Sequence, residues 1–232
     1  MLPGGGWPGE EVTHFTLATD FDGTIASQGT VNSSTIRALE TWRARGNSLF
    51  LVTGRTMASL TATFDRIDLF DCVVAENGGV LHWPARGAQA DSRLADPPSA
   101  AFVTALDEAG VVPLVRGHVL LATIDVHAST VVNLIEQHGL DLQLAFNKGA
   151  LMLLPPGVTK ESGLSAALEQ LGLTWDHVIA VGDAENDLTM LRRAWRSVAV
   201  ANALPSVRGV VDRVVPGTHG EGVAQAMELF PG

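Results

Sequence analysis

Five short, largely apolar runs, at residues 15–19, 48–52, 72–75, 177–181 and 197–200, alternate with stretches of helical periodicity at residues 32–45, 57–67, 159–171 and 185–193. A strand that is apolar on both faces must be covered on both faces. Such strands, alternating with helices, predict an α/β fold built on a doubly wound, mostly parallel sheet. The local punctuation agrees. Asn32 or Ser33 can cap the first helix, and Gly46 stands just past its end.

The alternation breaks off near Trp83 and resumes near Thr159. Between them lie a polar, Pro-containing linker at 85–98 and a helix at 99–109. A hairpin follows, 111–115 with 118–126, turning at Arg116-Gly117. A helix at 129–138 leads to a second hairpin, 142–146 with 150–154, across Asn147-Lys148-Gly149. The order αββαββ predicts a small antiparallel sheet with helices on one side. The division expected is a Gly/Pro-rich flexible tail at 1–12, a core at 13–83 and 157–232, and an inserted α+β cap domain at 84–156.

Composition narrows the function class. Hydrophobic residues make up 46% of the chain and charged residues 17%, which suits a packed core rather than disorder. Lys and Arg number 15 against 25 Asp and Glu, a formal net charge of −10. A surface so poor in cations is ill suited to nucleic acid. No apolar run approaches the ~18 residues of a membrane-spanning helix. The first residues lack the basic and apolar regions of a signal peptide. A cytoplasmic protein with neither nucleic-acid nor membrane partner is expected. Cys72 is the single cysteine, so no internal disulfide forms. Thirteen of the cations are arginine; Lys148 and Lys160 are the only lysines.

Two apolar runs end in carboxylates. Asp20-Phe21-Asp22-Gly23-Thr24 follows the first, and Gly182-Asp183-Ala184-Glu185-Asn186-Asp187 follows the fourth. The carboxyl ends of strands in an open parallel sheet are where ligands bind. Helix capping accounts for one such acid. It does not account for five acids gathered at one pole, which repel one another unless a cation joins them. Oxygen donors without His or Cys nearby favour Mg2+. Thr53-Gly54-Arg55 ends the second run with a hydroxyl and a free amide that can hold a phosphate oxygen. Lys160 opens a helix, where its charge opposes the macrodipole; reach to both a carboxylate and a phosphate oxygen would explain the choice. A cation cluster beside an anion cluster describes a phosphoryl-transfer site.

These residues resemble the haloacid dehalogenase (HAD) superfamily. Asp20-Phe21-Asp22-Gly23-Thr24 looks like its first motif, Thr53 its second, Lys160 its third, and Gly182-Asp183 with Asn186-Asp187 its fourth. Leu51 to Arg55, Glu76-Asn77-Gly78-Gly79 and Gly182 to Leu191 further resemble Cof-type members of subclass IIB. Only 33 residues separate Asp20 from Thr53, whereas 107 separate Thr53 from Lys160, which matches a C2 cap position. The short cap is similar to that of archaeal-type phosphoglycolate phosphatase, with sucrose-phosphatase and mannosyl-3-phosphoglycerate phosphatase as wider relatives. The resemblance implies a phosphatase in which Asp20 is the nucleophile and Asp22 the general acid and base. It implies Mg2+ held by Asp20, the Asp22 carbonyl and Asp183, with Asp187 ligating it or orienting a bound water. It also implies a phosphoryl group held by Thr53, Gly54 and Lys160, with help from Asn186. Arg116, His118 and Lys148 at the cap turns, Asn147 beside Lys148, and Arg55 from the core side are candidates for substrate specificity. Glu76-Asn77 is expected to shape a turn near the site.

Three other readings stand beside this one. A phosphomutase of the phosphomannomutase type shares the first motif and the cap position. A receiver-like, phosphorylation-sensing module joins acids, Thr and Lys at sheet ends, but in about half this length. A catalytically idle binding protein is the third, and the full set of motif residues speaks against it.

Overall fold

The computed structural model describes residues 14–230; the predicted tail at 1–12 lies outside them. The strands and helices follow in the order β1 (Thr16–Thr19), α1 (Ser33–Ala44), β2 (Ser48–Val52), α2 (Met57–Thr61), β3 (Cys72–Ala75), β4 (Val80–His82), β5 (Asp91–Arg93), α3 (Ala100–Glu108), β6 (Val115–Arg116), β7 (Leu121–Ile124), α4 (Ala128–Gln137), β8 (Gln143–Asn147), β9 (Ala150–Leu154), α5 (Lys160–Gln170), β10 (Val178–Gly182), α6 (Leu188–Arg193), β11 (Arg196–Ala199), α7 (Pro205–Arg208), β12 (Arg213–Val214) and α8 (His219–Glu228).

The larger sheet has the order β12-β11-β10-β1-β2-β3-β4-β5. Its members from β12 to β3 are parallel, and β4 and β5 add an antiparallel edge. All four residues of β1 are buried, as are Leu49 to Val52 of β2 and the whole of β3 and β10. This is the covered parallel sheet that the apolar runs predict. Helix α1 starts where Asn32 Oδ1 accepts the Thr35 amide at 2.8 Å. It buries Thr35, Leu39 and Trp42, and the Trp42 indole N–H donates to the Ser48 carbonyl at 3.0 Å.

The inserted segment forms a second, wholly antiparallel sheet, β6-β7-β9-β8, in the predicted αββαββ order. Strand alternation divides its faces. Leu151 and Leu153 of β9 pack under α3 and α4 with Phe102, Leu106 and Val131. Met152 and Leu154 point to the other face, with Leu120 and Val158.

Four local expectations change. The hairpin read as 111–115 with 118–126 shrinks to Val115–Arg116 paired with Leu121–Ile124, and it turns at 117–120 rather than at Arg116-Gly117. The stretch 85–98, read as a linker, supplies β5, which pairs with β4 and so extends the larger sheet beyond residue 83. The helix predicted at 57–67 ends at Thr61. There the Thr61 and Thr63 hydroxyls bond back to the Met57 and Ser59 carbonyls, each at 2.9 Å, and Phe64 turns inward against Phe21 and Phe70. Such back-bonding competes with helix propagation. The helix predicted from Glu185 opens with a 3-10 turn over Glu185–Asp187 before α6. Among the described residues no helix is long and apolar enough to cross a membrane.

Candidate functional site

Parallel strands deliver their carboxyl ends to one pole. Asp20 leaves β1 there with its amide on the Val181 carbonyl of β10 at 3.0 Å. Thr53 leaves β2 with its amide on the Val74 carbonyl of β3 at 2.8 Å. Asp183 leaves β10. The order β10-β1-β2-β3 therefore places Asp20 between Asp183 and Thr53, with Glu76 beyond.

Asp20, Asp183 and Asp187 are all buried, and each offers an oxygen within 4.8 Å of the others. Lys160 joins two of them. Its ammonium is fully buried and donates to Asp20 Oδ1 at 2.5 Å and to Asp187 Oδ1 at 2.6 Å. An ammonium has three protons, so one remains for a ligand. Helix α5 holds Lys160 at its first position through a reciprocal cap between Thr159 and Ser162. Asp187 Oδ2 accepts the amides of Asp183 and Ala184 at 2.8 and 3.0 Å, which fixes the turn that presents Asp183. Thr24 Oγ1 donates to Asp183 Oδ1 at 3.0 Å. Gly23, at φ +87°, lies so close that a Cβ there would overlap Asp183 Oδ2.

Burial pushes the Asp20 carboxyl up to about 8, with Asp187 and Asp183 adding to the rise and Lys160 opposing it. Burial also raises Asp183, against the pull of Lys148. Burial alone would lower the Lys160 ammonium; the Asp187 and Asp20 charges outweigh it and raise it above the ordinary lysine value. Three hard carboxylates with no His or Cys among them fit a divalent cation of the Mg2+ kind. Such a cation needs Asp20 ionised. Metal affinity, followed by calorimetry, is therefore expected to fall as the pH drops below about 8, with protons released on binding.

Arg55 and Asp22 form a bidentate pair, Nε to Oδ2 at 2.7 Å and Nη2 to Oδ1 at 2.8 Å. The hydrogen bonds to Asp22 hold the Arg55 guanidinium above its usual value. Both residues line a cavity of about 200 Å3 between the two sheets. Asp20 and Gly54 form its floor, and Met152 of β9 stands over Gly54. Asn147 also lines it, with Oδ1 buried and without a partner.

Of the cap candidates, Lys148 reaches the acidic cluster: at φ +47° on the β8–β9 turn, its ammonium pairs with Asp183 Oδ2. Arg116 does not line the cavity. Its guanidinium pairs with Asp107 of α3 at 2.6 Å on the exposed side of the cap. His118 is exposed, and its backbone amide, not its ring, is engaged. Hairpin position brings a polar residue near the site without settling which way it points.

Two residues expected to shape a turn near the site do more. The Asn77 amide donates to the Thr53 carbonyl at 2.9 Å, and Asn77 Oδ1 accepts from Asn186 Nδ2 at 3.1 Å, so Asn77 ties the second motif to the fourth. Asn186 Oδ1 is left buried and without a partner. Glu76 reaches into the cap, where its carboxylate accepts the His118, Val119 and Leu120 amides. Asn202, which no sequence signal singled out, donates to the Gly23 carbonyl at 2.7 Å.

Comparison with known proteins agrees with this geometry. A family model described as haloacid dehalogenase-like hydrolase matches residues 17–111 and 130–227. A phosphoglycolate phosphatase of Methanothermobacter thermautotrophicus is 34% identical over 93% of this chain and 98% of its own length. The solved structure of a HAD subclass IIB sugar phosphatase superposes with a TM-score of 0.76 at 21% identity, covering 94% of this chain and 99% of that one. That of the sucrose-phosphatase of Synechocystis sp. PCC6803 gives 0.71 at 17% identity, covering 94% and 98%. With the motifs of both ends of the chain meeting at one pole and a family model spanning both halves, this chain belongs to the haloacid dehalogenase-like hydrolases.

Proposed function

We propose that this hydrolase, a phosphatase acting on phosphoric monoesters, is Mg2+-dependent and cleaves a small phosphorylated acid of the phosphoglycolate kind, or a sugar phosphate, through an aspartyl-phosphate. The observation that carries the reading is the meeting of Asp20, Lys160, Asp183 and Asp187 beside a cavity of about 200 Å3. Pockets for drug-sized ligands measure about 300–1,000 Å3, so this smaller space suits a metabolite of few atoms. The 34% identical relative is a phosphoglycolate phosphatase.

The chain's own residues divide the work. An Asp20 oxygen bonds to phosphorus as the bond from phosphorus to the leaving oxygen breaks. Asp22 donates a proton to that oxygen. Asp22 then takes a proton from water, which attacks the same phosphorus, and the bond to Asp20 breaks to release phosphate. Thr53, the Gly54 amide and the third Lys160 proton hold the phosphoryl oxygens, assisted by the Asn186 amide. Asp20, Asp183 and Asp187, with the Asp22 carbonyl, would hold the cation, whose charge offsets that of the phosphoryl oxygens. Arg55 now occupies both Asp22 oxygens. A substrate carboxylate offers Arg55 another partner and frees Asp22 to carry a proton. Lys148 and Asn147 supply further contacts from the cap. This favours an acid over a neutral sugar.

Phosphate release from a panel of phosphorylated metabolites, with and without Mg2+, tests the reading. Metal-dependent release with preference for a small acid is expected. No release from any compound by folded, metal-loaded protein overturns it. Asp22→Ala is expected to lower turnover about 10²–10⁴-fold while Mg2+ affinity by calorimetry stays unchanged. Normal turnover in that variant would remove Asp22 from its role.

A further inference from the structure

Glu76 follows β3 at the same pole as the motif residues, yet it lines no part of the cavity. It is fully buried. Its backbone adopts φ +53°, and its amide donates to the Arg55 carbonyl at 2.9 Å. No Lys, Arg or His pairs with its carboxylate among the described residues. Instead the carboxylate crosses to the cap and accepts three consecutive backbone amides: His118 at 2.8 Å, Val119 at 2.7 Å and Leu120 at 3.0 Å. Successive amides converging on one anion make a strong, directional site.

The contact is built from both sides. Gly117 has no positive φ, so its backbone does not demand glycine; space does, because a Cβ there would overlap the Glu76 carboxylate. On the core side, a Cβ at Gly79 would stand 2.8 Å from the Val119 side chain. The held loop also explains why β7 begins only at Leu121 although the apolar run starts earlier.

Loop 117–120 leads into the wall of the cavity. Leu120 and Ala122, with Val115, Ala150 and Met152, face Asp20 and Gly54 across it. Among the described residues, the cap meets the site at one other charged contact, Lys148 on Asp183. That contact involves the acidic cluster itself and therefore changes when the cluster is loaded. Glu76 touches neither metal-binding oxygens nor substrate space.

We propose that Glu76 is a positioning residue that sets how large a leaving group the site admits, by pinning loop 117–120 and so fixing the height of the apolar wall over Asp20. This rests on the phosphatase reading and adds to it the element that selects for size. A wall held low admits a two-carbon phosphoacid and rejects a hexose or aryl phosphate.

The experiment compares the parent with Glu76→Gln and Gly117→Ala. In the first, an NH2 group confronts backbone N–H donors. In the second, the loop is pushed off an unaltered carboxylate. Each is assayed with a two-carbon phosphoacid, a hexose phosphate and an aryl phosphate, and amide hydrogen exchange is followed at residues 118–120. In both variants those amides should exchange faster while β1 and β2 stay protected. The preference in kcat/KM for the small over the bulky substrates should fall about tenfold, the scale of a lost steric contact. A merely structural role would lower all three activities together. An unchanged preference in folded variants whose 118–120 amides have opened overturns the proposal, as do amides that exchange at the parental rate in Glu76→Gln. If Glu76→Gln does not fold, Gly117→Ala decides by the same criteria. A parent that releases phosphate from none of the three defeats the phosphatase reading instead, while the exchange experiment still reports whether Glu76 holds the loop.

Discussion

Asp20→Asn is expected to lower phosphate release by about 10⁴-fold or more, because the group proposed to bond to phosphorus is replaced by an amide with little nucleophilicity. The same change should leave the fold intact and make the metal-free protein no less stable. Asn keeps the shape of Asp. It also removes a carboxyl that burial pushes up to about 8, so no charge need be formed in a dry pocket beside Asp187 and Asp183. An activity gain paired with a stability loss runs through many active sites; here its reversal is readable in one variant, by phosphate release and by urea titration without metal. Acid quenching with labelled substrate should trap phosphate on the parent and none on the variant. Turnover within tenfold of the parent would reject Asp20 as nucleophile.

Lys160→Met should have the largest effect on stability. Lys160 is fully buried between Asp20 and Asp187. Removing one partner of a buried ion pair costs about 3–5 kcal/mol, because the charge left behind has neither water nor counter-ion. Asp187 is left behind without its counter-ion, and Asp20, already pushed up to about 8, loses the one charge that opposes that rise. The loss, read from urea unfolding at neutral pH, should be partly reversed by a saturating divalent cation, which supplies the missing positive charge to the same oxygens. A variant as stable as the parent without metal would mean that the carboxylates do not depend on Lys160. A loss that metal cannot reverse would mean that packing of the methylene stem, rather than charge, is what Lys160 contributes.

The sheet and most of the candidate site were legible because their signals are local. An apolar run followed by Asp20-Phe21-Asp22-Gly23 or by Gly182-Asp183 states both the strand and what stands at its end. Lys160 stood out as one of two lysines in a chain that otherwise uses arginine. The joining contacts were not legible. Glu76 meets residues more than forty positions away, and Lys148 meets Asp183 from the tip of a different sheet. No periodicity or spacing encodes which side chain crosses a domain gap. Arg116 shows the same limit from the other side: its turn position suggested the cavity, but Asp107, nine residues earlier on α3, offered a nearer carboxylate. Strand β5 was hidden because Asp91–Arg93 is polar and mostly exposed at a sheet edge, where no alternation is required of it.

The central place of β1 sets an order of events on the ribosome. One neighbour, β2, follows it within a short stretch of chain; the other, β10, is translated only after the entire cap. Until then the strand bearing Asp20 is an open edge, buried on both faces in the finished protein and unpaired along one side. Such an edge invites association with other chains. A product of premature termination within the cap would carry Asp20, Asp22 and Thr53 but neither Lys160 nor Asp183, and would have an open strand edge where the finished protein has a paired one. The cluster of Asp20, Lys160, Asp183 and Asp187 is therefore complete only once β10 and the turn after it have been made.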